Sequence, residues 1–143
     1  MKISTKGRYG LKAMIDIGAY SVNNNCVCIK NIAERQGISE NYLEQLIAQL
    51  KKAGLVASIR GANGGYILTR DTKEITVGDV LRALEDDLQI TKCAGQKLTS
   101  CGNSNCSKCV TKNVWEKLTE SVNTAADSIT LADLVNDFKE INI

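Results

Sequence analysis

The sequence predicts a mainly α-helical protein with one small β-hairpin. Apolar residues recur at helical spacing through most of the 143 residues, and glycines punctuate the predicted helices. A glycine-rich stretch at 61–65 separates two short runs of strand character. A chain of this length suffices for one compact domain, or for a small domain with an appendage.

The first predicted helix covers residues 1–20 and starts at Ser4 or Thr5. Its inward face comprises Tyr9, Leu11, Met14, Ile15 and Gly18. Thr5, Lys6 and Arg8 lie at its N-terminus, where free backbone N–H groups favour a phosphate. The alternative for each of these three residues is a solvated position on a core helix.

Two further helices are predicted on either side of a tight glycine turn. Residues 30–36 form the first, and Gly37 ends it without a Cβ penalty. Ser39 caps the second, which Gly54 stops. Its buried side consists of Leu43, Leu46, Ile47 and Leu50. Its outer side presents Asn41, Glu44, Gln45, Ala48, Gln49 and Lys52.

The hairpin is predicted from strands at 55–60 and 66–69 joined by a loop at 61–65. Arg60 and Arg70 flank the hairpin, so positive charges would lie on either side of a flexible glycine-rich tip. A hairpin after two such helices is the wing of a winged helix-turn-helix, whose second helix enters the DNA major groove. The alternative is a hairpin that only packs on the helices.

The charge distribution supports a polyanionic partner for the first half of the chain. Residues 1–70 contain ten Lys and Arg against four Asp and Glu, whereas residues 71–143 contain eight against twelve. The predicted DNA contacts are Thr5, Lys6, Arg8, Ser39, Asn41, Tyr42, Glu44, Gln45, Lys52, Arg60, Gly61, Asn63, Gly64, Gly65 and Tyr66.

Composition excludes several other classes of function. The chain has no histidine, which removes Ser-His-Asp and Cys-His catalysis and histidine metal sites. No apolar run is long enough to span a membrane, and Lys6, Arg8 and Lys12 interrupt the only region resembling a signal peptide. We therefore expect a cytoplasmic protein. Because the cytoplasm is reducing, we interpret its six cysteines as thiols or metal ligands in preference to structural disulfides.

Four cysteines fall in a long non-periodic stretch at 86–108 and just after it. Cys93, Cys101, Cys106 and Cys109 follow a C-x7-C-x4-C-x2-C pattern among small residues. They could hold a metal cluster or a structural zinc, or act as oxidant-sensing thiols. A thioredoxin-like oxidoreductase is disfavoured, because the βαβ context and any proline are missing. Cys26 and Cys28 lie in a stretch at 22–28 that we predict to be a polar link, and they remain unassigned thiols.

The rest of the chain predicts three helices. Thr76 and Thr130 each begin a capping box with aspartate in the acidic position. Between them, a long amphipathic helix carries Val114, Trp115, Leu118, Val122 and Ala125. Its apolar stripe predicts a dimer interface or, alternatively, packing within the subunit. We divide the chain into a DNA-binding domain (1–85), a cysteine-rich sensor loop (86–109) and a dimerisation and C-terminal helix unit (110–143).

Four motifs together resemble a known family: MKISTKGRYGL, GISENYLEQL, GLVASIRGANGGY and ITVGDVLRALE. They are similar to the bacterial winged-helix regulators that include the iron-sulfur cluster regulator IscR and the cysteine-metabolism regulator CymR. The resemblance covers nearly the whole chain. It implies homodimers that bind pseudo-palindromic double-stranded DNA operators, with dimerisation through the helix near Trp115.

The cysteines place the chain nearer the IscR branch. IscR-like members hold a [2Fe-2S] cluster through three cysteines and a histidine, and Cys93, Cys101 and Cys109 match the three cysteines. Lys112 occupies the histidine place, so Cys106 or a group from elsewhere would complete the site. Related nitric-oxide sensors use an acidic residue near the N-terminus, where this chain has Arg8. The alternative is a zinc-bound or cluster-free regulator of cysteine metabolism, acting through thiols or a cysteine-biosynthetic enzyme.

Overall fold

The computed structural model describes residues 2–85, 88–91 and 109–142. Two short 3₁₀ turns, Val22–Asn24 and Thr72–Glu74, accompany the helices and strands. In chain order these are α1 (Thr5–Tyr20), α2 (Ile29–Gln36), α3 (Glu40–Lys52), β1 (Val56–Ile59), β2 (Gly65–Leu68), α4 (Val77–Leu84), α5 (Lys112–Ser128) and α6 (Leu131–Ile141). This confirms the predicted class, mainly helical with a small hairpin.

Helix α1 lies at the centre of the molecule, in contact with α2, α3, α4, α6 and β2. Its start is as predicted, because the Ser4 hydroxyl accepts a hydrogen bond from the Gly7 N–H at 3.2 Å. Met14 and Ile17 are both 0% exposed and occupy the middle of the core. The other elements are therefore arranged around this helix.

Helices α2 and α3 meet at the predicted glycine turn. Gly37 has φ +67°, a conformation that costs glycine little, and it ends α2. The Ser39 hydroxyl then accepts from the Tyr42 N–H at 3.1 Å and starts α3. The predicted inward face of α3 is fully buried, from Leu43 to Leu50. Helix α2 begins one residue earlier than predicted, at Ile29.

The hairpin forms with strands displaced by about one residue from the prediction. Strands β1 and β2 are antiparallel, and the register pairs Val56 with Leu68 and Ile59 with Gly65. A third segment joins them, because Val27 and Tyr66 exchange two backbone hydrogen bonds of 2.9 and 2.8 Å. The sequence predicted only a polar link at 22–28. Instead Val27 is 5% exposed and completes the base of the hairpin.

Helices α4 and α6 both begin with the predicted capping boxes. Thr76 and Thr130 also form a β-bridge, which brings the two helix starts together. Leu131 and Val135 of α6 enter the same core as α1 to α4. Helix α5 packs on α4. Within the described ranges, no helix is both long enough and apolar enough to cross a membrane.

Candidate nucleic-acid interface

The outer face of α3 is open to solvent. Asn41, Glu44, Gln45 and Lys52 are exposed, and Gln49 is half-buried. They lie opposite the buried leucine face because the helix repeats every 3.6 residues. The structure therefore presents several amide and carboxylate groups side by side, as reading of base edges requires.

Two predicted DNA contacts near the start of α3, Ser39 and Tyr42, also stabilise the fold through contacts within the chain. The Tyr42 ring meets the Tyr9 ring edge-to-face, with centroids 6.2 Å apart, so it is half-buried between α3 and α1. The Ser39 hydroxyl is engaged as the cap of α3. Both remain near the outer face, and the contacts explain their presence without DNA.

The N-terminus of α1 is fixed by the end of α4. The Glu85 carboxylate accepts from the Ser4 N–H at 2.8 Å and from the Ser4 hydroxyl at 2.6 Å. Thr5, Lys6 and Arg8 follow directly and are exposed. Their backbone is therefore held at a defined place while their side chains stay in solvent.

Lys6 and Lys52, far apart in sequence, line one open hollow of about 510 Å³ between α1, α3 and α4. Arg82 and Glu85 also line it. Two lysines that share a hollow produce a local positive potential greater than either alone. The structure thus brings two of the predicted DNA contacts, Lys6 and Lys52, to one hollow.

The glycines at the hairpin tip are explained by the backbone. Gly61 has φ +118°, where other residues are strained. A Cβ at Gly64 would collide with the Ile59 carbonyl, and one at Gly65 with the Val27 carbonyl. Tyr66 is half-buried against the core. A positive φ at Gly61 and close backbone packing at Gly64 and Gly65 therefore explain the glycine-rich loop without DNA.

The exposed side chains of the hairpin include Arg60, Asn63 and Arg70. The Cys26 thiol donates to the Asn63 carbonyl at 2.9 Å, which ties residues 25–28 to the tip. The Lys51 ammonium donates to the Ser58 hydroxyl at 2.9 Å and links β1 to α3. The hairpin is therefore attached to both sides of the helix pair.

An ion pair between α1 and α2 was not predicted. Asp16 is 1% exposed, and the Arg35 guanidinium donates to its two oxygens at 2.9 and 2.7 Å. The Gln36 amide adds a bond of 3.2 Å. The bond to Asp16 raises the pKa of Arg35, whose guanidinium also lies 3.9 Å from the Tyr20 ring centroid. A lone carboxylate within the apolar run of α1 was the available signal.

Of the predicted metal ligands, Cys93, Cys101 and Cys106 lie outside the described residues. Cys109 is exposed, with its sulfur 3.3 Å from the Thr111 hydroxyl oxygen. Hydrogen bonding from Thr111 lowers the pKa of this thiol. The Lys112 ammonium lies 3.9 Å from the Glu116 carboxylate. Among described residues alone, no three acidic, cysteine or histidine side chains form a metal site.

Helix α5 leaves part of its predicted apolar stripe in solvent. Val114 is 48% and Leu118 43% exposed, and Val110 just before the helix is 87% exposed. Thr119 and Ala126, which flank the stripe beside Trp115 and Val122, are buried. Trp115 and Val122 of the same stripe are half-buried, so the described residues leave both predicted alternatives, a dimer interface and packing within the subunit, open.

A glycine turn between two helices, an exposed second helix and a following hairpin form a winged helix-turn-helix, which defines a class of DNA-binding regulators. The profile of the Rrf2 family, described as an iron-dependent transcriptional regulator, matches residues 3–137. The chain is also 42% identical over 137 residues to the HTH-type transcriptional regulator IscR of Yersinia pestis, covering 96% of this chain and 80% of the relative.

Solved structures agree with this result. IscR of T. potens is 48% identical with a TM-score of 0.76, covering 100% of this chain and 92% of its own. CymR, the global cysteine regulator of B. subtilis, is 38% identical with a TM-score of 0.76, covering 95% and 97%. The chain belongs to the Rrf2 family. It is a DNA-binding transcriptional regulator and not an enzyme.

Proposed function

We propose that this regulator is a homodimer that binds pseudo-palindromic operators and senses iron-sulfur cluster or redox status through Cys93, Cys101, Cys106 and Cys109. The observation that carries the DNA part is the exposed face of α3, flanked by the hairpin and by the anchored N-terminus of α1. The regulator would act in the cytoplasm, as a repressor or an activator.

Specific reading of DNA is assigned to α3. Glu44 would accept from a cytosine amino group, and Asn41 or Gln45 would pair with an adenine edge. Lys6, Arg8 and Lys52 would contact phosphates, and Arg60 with the tip at Gly61 to Tyr66 would make the wing contact. The basic hollow shared by Lys6 and Lys52 supports this division.

Dimerisation is assigned to the apolar stripe of α5. Val114, Leu118, Val122 and Ala125 lie at i, i+4, i+8 and i+11, along one side of the helix. Exposure of Val114 and Leu118 is costly for an isolated chain, and a second copy would cover both stripes by a two-fold contact. Two recognition helices would then be presented to two half-sites.

The cluster is assigned to cysteine donors, most simply as [2Fe-2S]. Cys109 fits this role, because a thiol with a lowered pKa supplies the thiolate that iron requires. Lys112 does not fit, since a protonated lysine has no free electron pair and this one faces Glu116. Cys106 would therefore complete an all-cysteine set. When bound, a cluster supplies reversible one-electron chemistry and sensitivity to oxidants.

The deciding experiment is anaerobic purification, followed by iron, sulfide and zinc analysis and a visible absorption spectrum. We expect near-stoichiometric iron and sulfide with sulfur-to-iron charge-transfer bands, and their loss in Cys106→Ser. Cys26→Ser is the matched control and keeps the spectrum. Zinc alone, or no metal, would contradict the assignment of the four cysteines.

A second measurement tests the switch. Operator affinity is compared between the cluster-loaded and cluster-free protein on candidate operators over a range of salt concentrations. A difference of at least tenfold on one operator is expected. Equal affinities on every operator would remove the cluster from regulation and leave DNA binding intact.

The likeness to CymR supports a second candidate function, a cluster-free or zinc-bound regulator of cysteine metabolism that acts through thiols or a cysteine-biosynthetic enzyme. The metal analysis separates the two candidates. A metal-free protein whose operator affinity changes on addition of such an enzyme would favour the second.

A further inference from the structure

One face of α5 is polar and is used within the subunit. Thr119, Asn123 and Asp127 lie at i, i+4 and i+8, so their side chains form a row, which we call the polar row. Each of the three side chains forms a hydrogen bond with a residue outside α5. The row faces away from the exposed apolar stripe and is available to fix how α5 sits on the rest of the protein.

Asn123 and Asp127 of the polar row bind α4. The Arg82 guanidinium donates to both oxygens of Asp127 at 2.8 Å and to the Asn123 side-chain oxygen at 2.9 Å. Gly78 of α4 permits this approach, because a Cβ there would collide with the Asp127 carboxylate. A two-pronged guanidinium contact fixes both distance and angle. Since Arg82 and Asp127 are partly exposed, the pair stabilises the fold little and acts mainly on orientation.

Thr119 and Asn123 of the polar row bind residues 88–91. The Asn123 amide donates to the Leu88 carbonyl at 3.1 Å, and the Ile90 N–H donates to the Thr119 hydroxyl at 3.2 Å. Leu88 is 1% exposed, between Leu81 and Ala126. Asn123 therefore contacts both attachments, since its oxygen receives Arg82 and its nitrogen binds Leu88.

Helix α4 in turn reaches the DNA-facing side. Its C-cap Glu85 holds Ser4 at the start of α1, beside Lys6 and Arg8. Residues 88–91 lead towards Cys93. The polar row thus joins residues 88–91, which precede Cys93 in the sequence, to α4, and it lies on the helix assigned to dimerisation.

We propose that Asn123, with Thr119 and Asp127, is a specificity-determining element that sets which half-site spacing the dimer accepts. Fixing the angle between α5 and α4 fixes the separation of the two recognition helices, because α5 carries the dimer contact and α4 belongs to the DNA-binding unit. This inference rests on the proposed function, namely on a dimer bound to a two-half-site operator.

The test is a panel of operators with identical half-sites, whose separation is increased or decreased by single base pairs, bound by the full-length protein. Wild type is expected to prefer one separation by about tenfold or more. Asn123→Leu, which cannot bond Arg82 or Leu88, is expected to reduce that preference to about threefold or less. Thr124→Leu, at the neighbouring exposed position, keeps the wild-type preference. Circular dichroism and thermal melting verify that each variant is folded.

Charge exchange sharpens the test. Arg82→Asp and Asp127→Arg should each flatten the spacing preference, and the double variant should restore it in large part. Thr119→Val keeps the shape of the side chain and removes only the acceptor of the Ile90 N–H, so it serves if the other variants fold poorly. A loss of stability alone would lower affinity for every operator alike and leave the preference unchanged.

The outcomes are distinct. Folded single variants that retain the wild-type spacing preference overturn the inference and leave the proposed function standing. A wild type that is monomeric, or that binds separate half-sites as well as paired ones, overturns the proposed dimer and the inference with it. Flattening in the single variants with recovery in the double variant supports both.

Discussion

At the scale of single residues, the buried Asp16 carboxylate explains how α1 and α2 are held at a fixed angle. Moving a charge out of water costs free energy unless it is paired and hydrogen-bonded. Here Arg35 and Gln36 of α2 supply three donors to one side chain of α1. An apolar contact of equal area would allow sliding, whereas these directed bonds permit one arrangement.

We expect Arg35→Met to lower the free energy of unfolding by about 3 kcal/mol, because it leaves Asp16 buried with only Gln36 as a donor. Urea denaturation followed by circular dichroism measures the change. Lys30→Met removes an exposed charge from the same helix and should have an effect within about 0.5 kcal/mol. Equal effects of the two substitutions would show that the ion pair does not matter.

Substitutions at two residues of α3, Glu44 and Lys52, should distinguish base recognition from phosphate binding. Glu44→Ala is expected to change the preferred base at one position, worth about 1–3 kcal/mol of discrimination. Lys52→Ala should weaken binding to all sequences alike and reduce the salt slope of log affinity by about 1. Competition binding with a randomised operator library measures both. Glu34→Ala on α2 is the control, and the reverse pattern would mean that the wrong face of α3 was assigned.

At the scale of elements, the capping box of α6 joins local chemistry to tertiary packing. The Thr130 hydroxyl accepts from the Asp133 N–H at 3.2 Å, and the Asp133 carboxylate accepts from the Thr130 N–H at 3.0 Å. The neighbouring Leu131 N–H donates to the Ile75 carbonyl at 2.7 Å. The helix start is therefore fixed by its own residues and by the segment before α4 together.

The hydrogen bond from the Thr130 N–H lowers the pKa of Asp133 below its ordinary value of 3.8. The carboxylate therefore contributes stability that is fully present above pH 3.8 and is lost as the pH falls through the lowered pKa. Asp133→Asn should lack this part of the pH dependence. The measurement is the difference in unfolding free energy between wild type and variant from pH 7 to pH 2. A difference that does not change with pH would exclude the carboxylate as its source.

Thr130→Ala removes the other half of the same box. We expect a loss of about 1 kcal/mol, typical of a helix N-cap. Thr130→Ser keeps the hydroxyl and should recover most of it. Thermal unfolding of the three proteins at pH 7 provides the comparison, and equal losses for Ala and Ser would indicate that the methyl group matters more than the cap.

At the scale of the whole molecule, the exposed apolar stripe of α5 should determine the oligomeric state. Leu118→Glu places a charge in the proposed two-fold contact and is expected to convert a dimer into a monomer, with loss of paired-site binding. Thr124→Glu adds the same charge outside the stripe and should leave the dimer intact. Sedimentation equilibrium measures both, and a dimeric Leu118→Glu protein would place the interface elsewhere.

The sequence by itself determined the features that depend on neighbouring residues. Gly37, Ser39 and the two threonine caps act within four residues, so their helix boundaries were predictable to within one residue. The buried and exposed faces of α3 followed from its period for the same reason. The family resemblance also came from contiguous motifs, which the comparisons confirmed.

Only the tertiary structure decided the contacts between residues distant in the chain. The pairing of Val27 with Tyr66, the ion pair of Asp16 with Arg35 and the polar row with Arg82 all join separate elements. The same holds for the hollow shared by Lys6 and Lys52. Local propensity and periodicity carry no information about which distant groups meet, because the packing of the whole chain around α1 sets those distances.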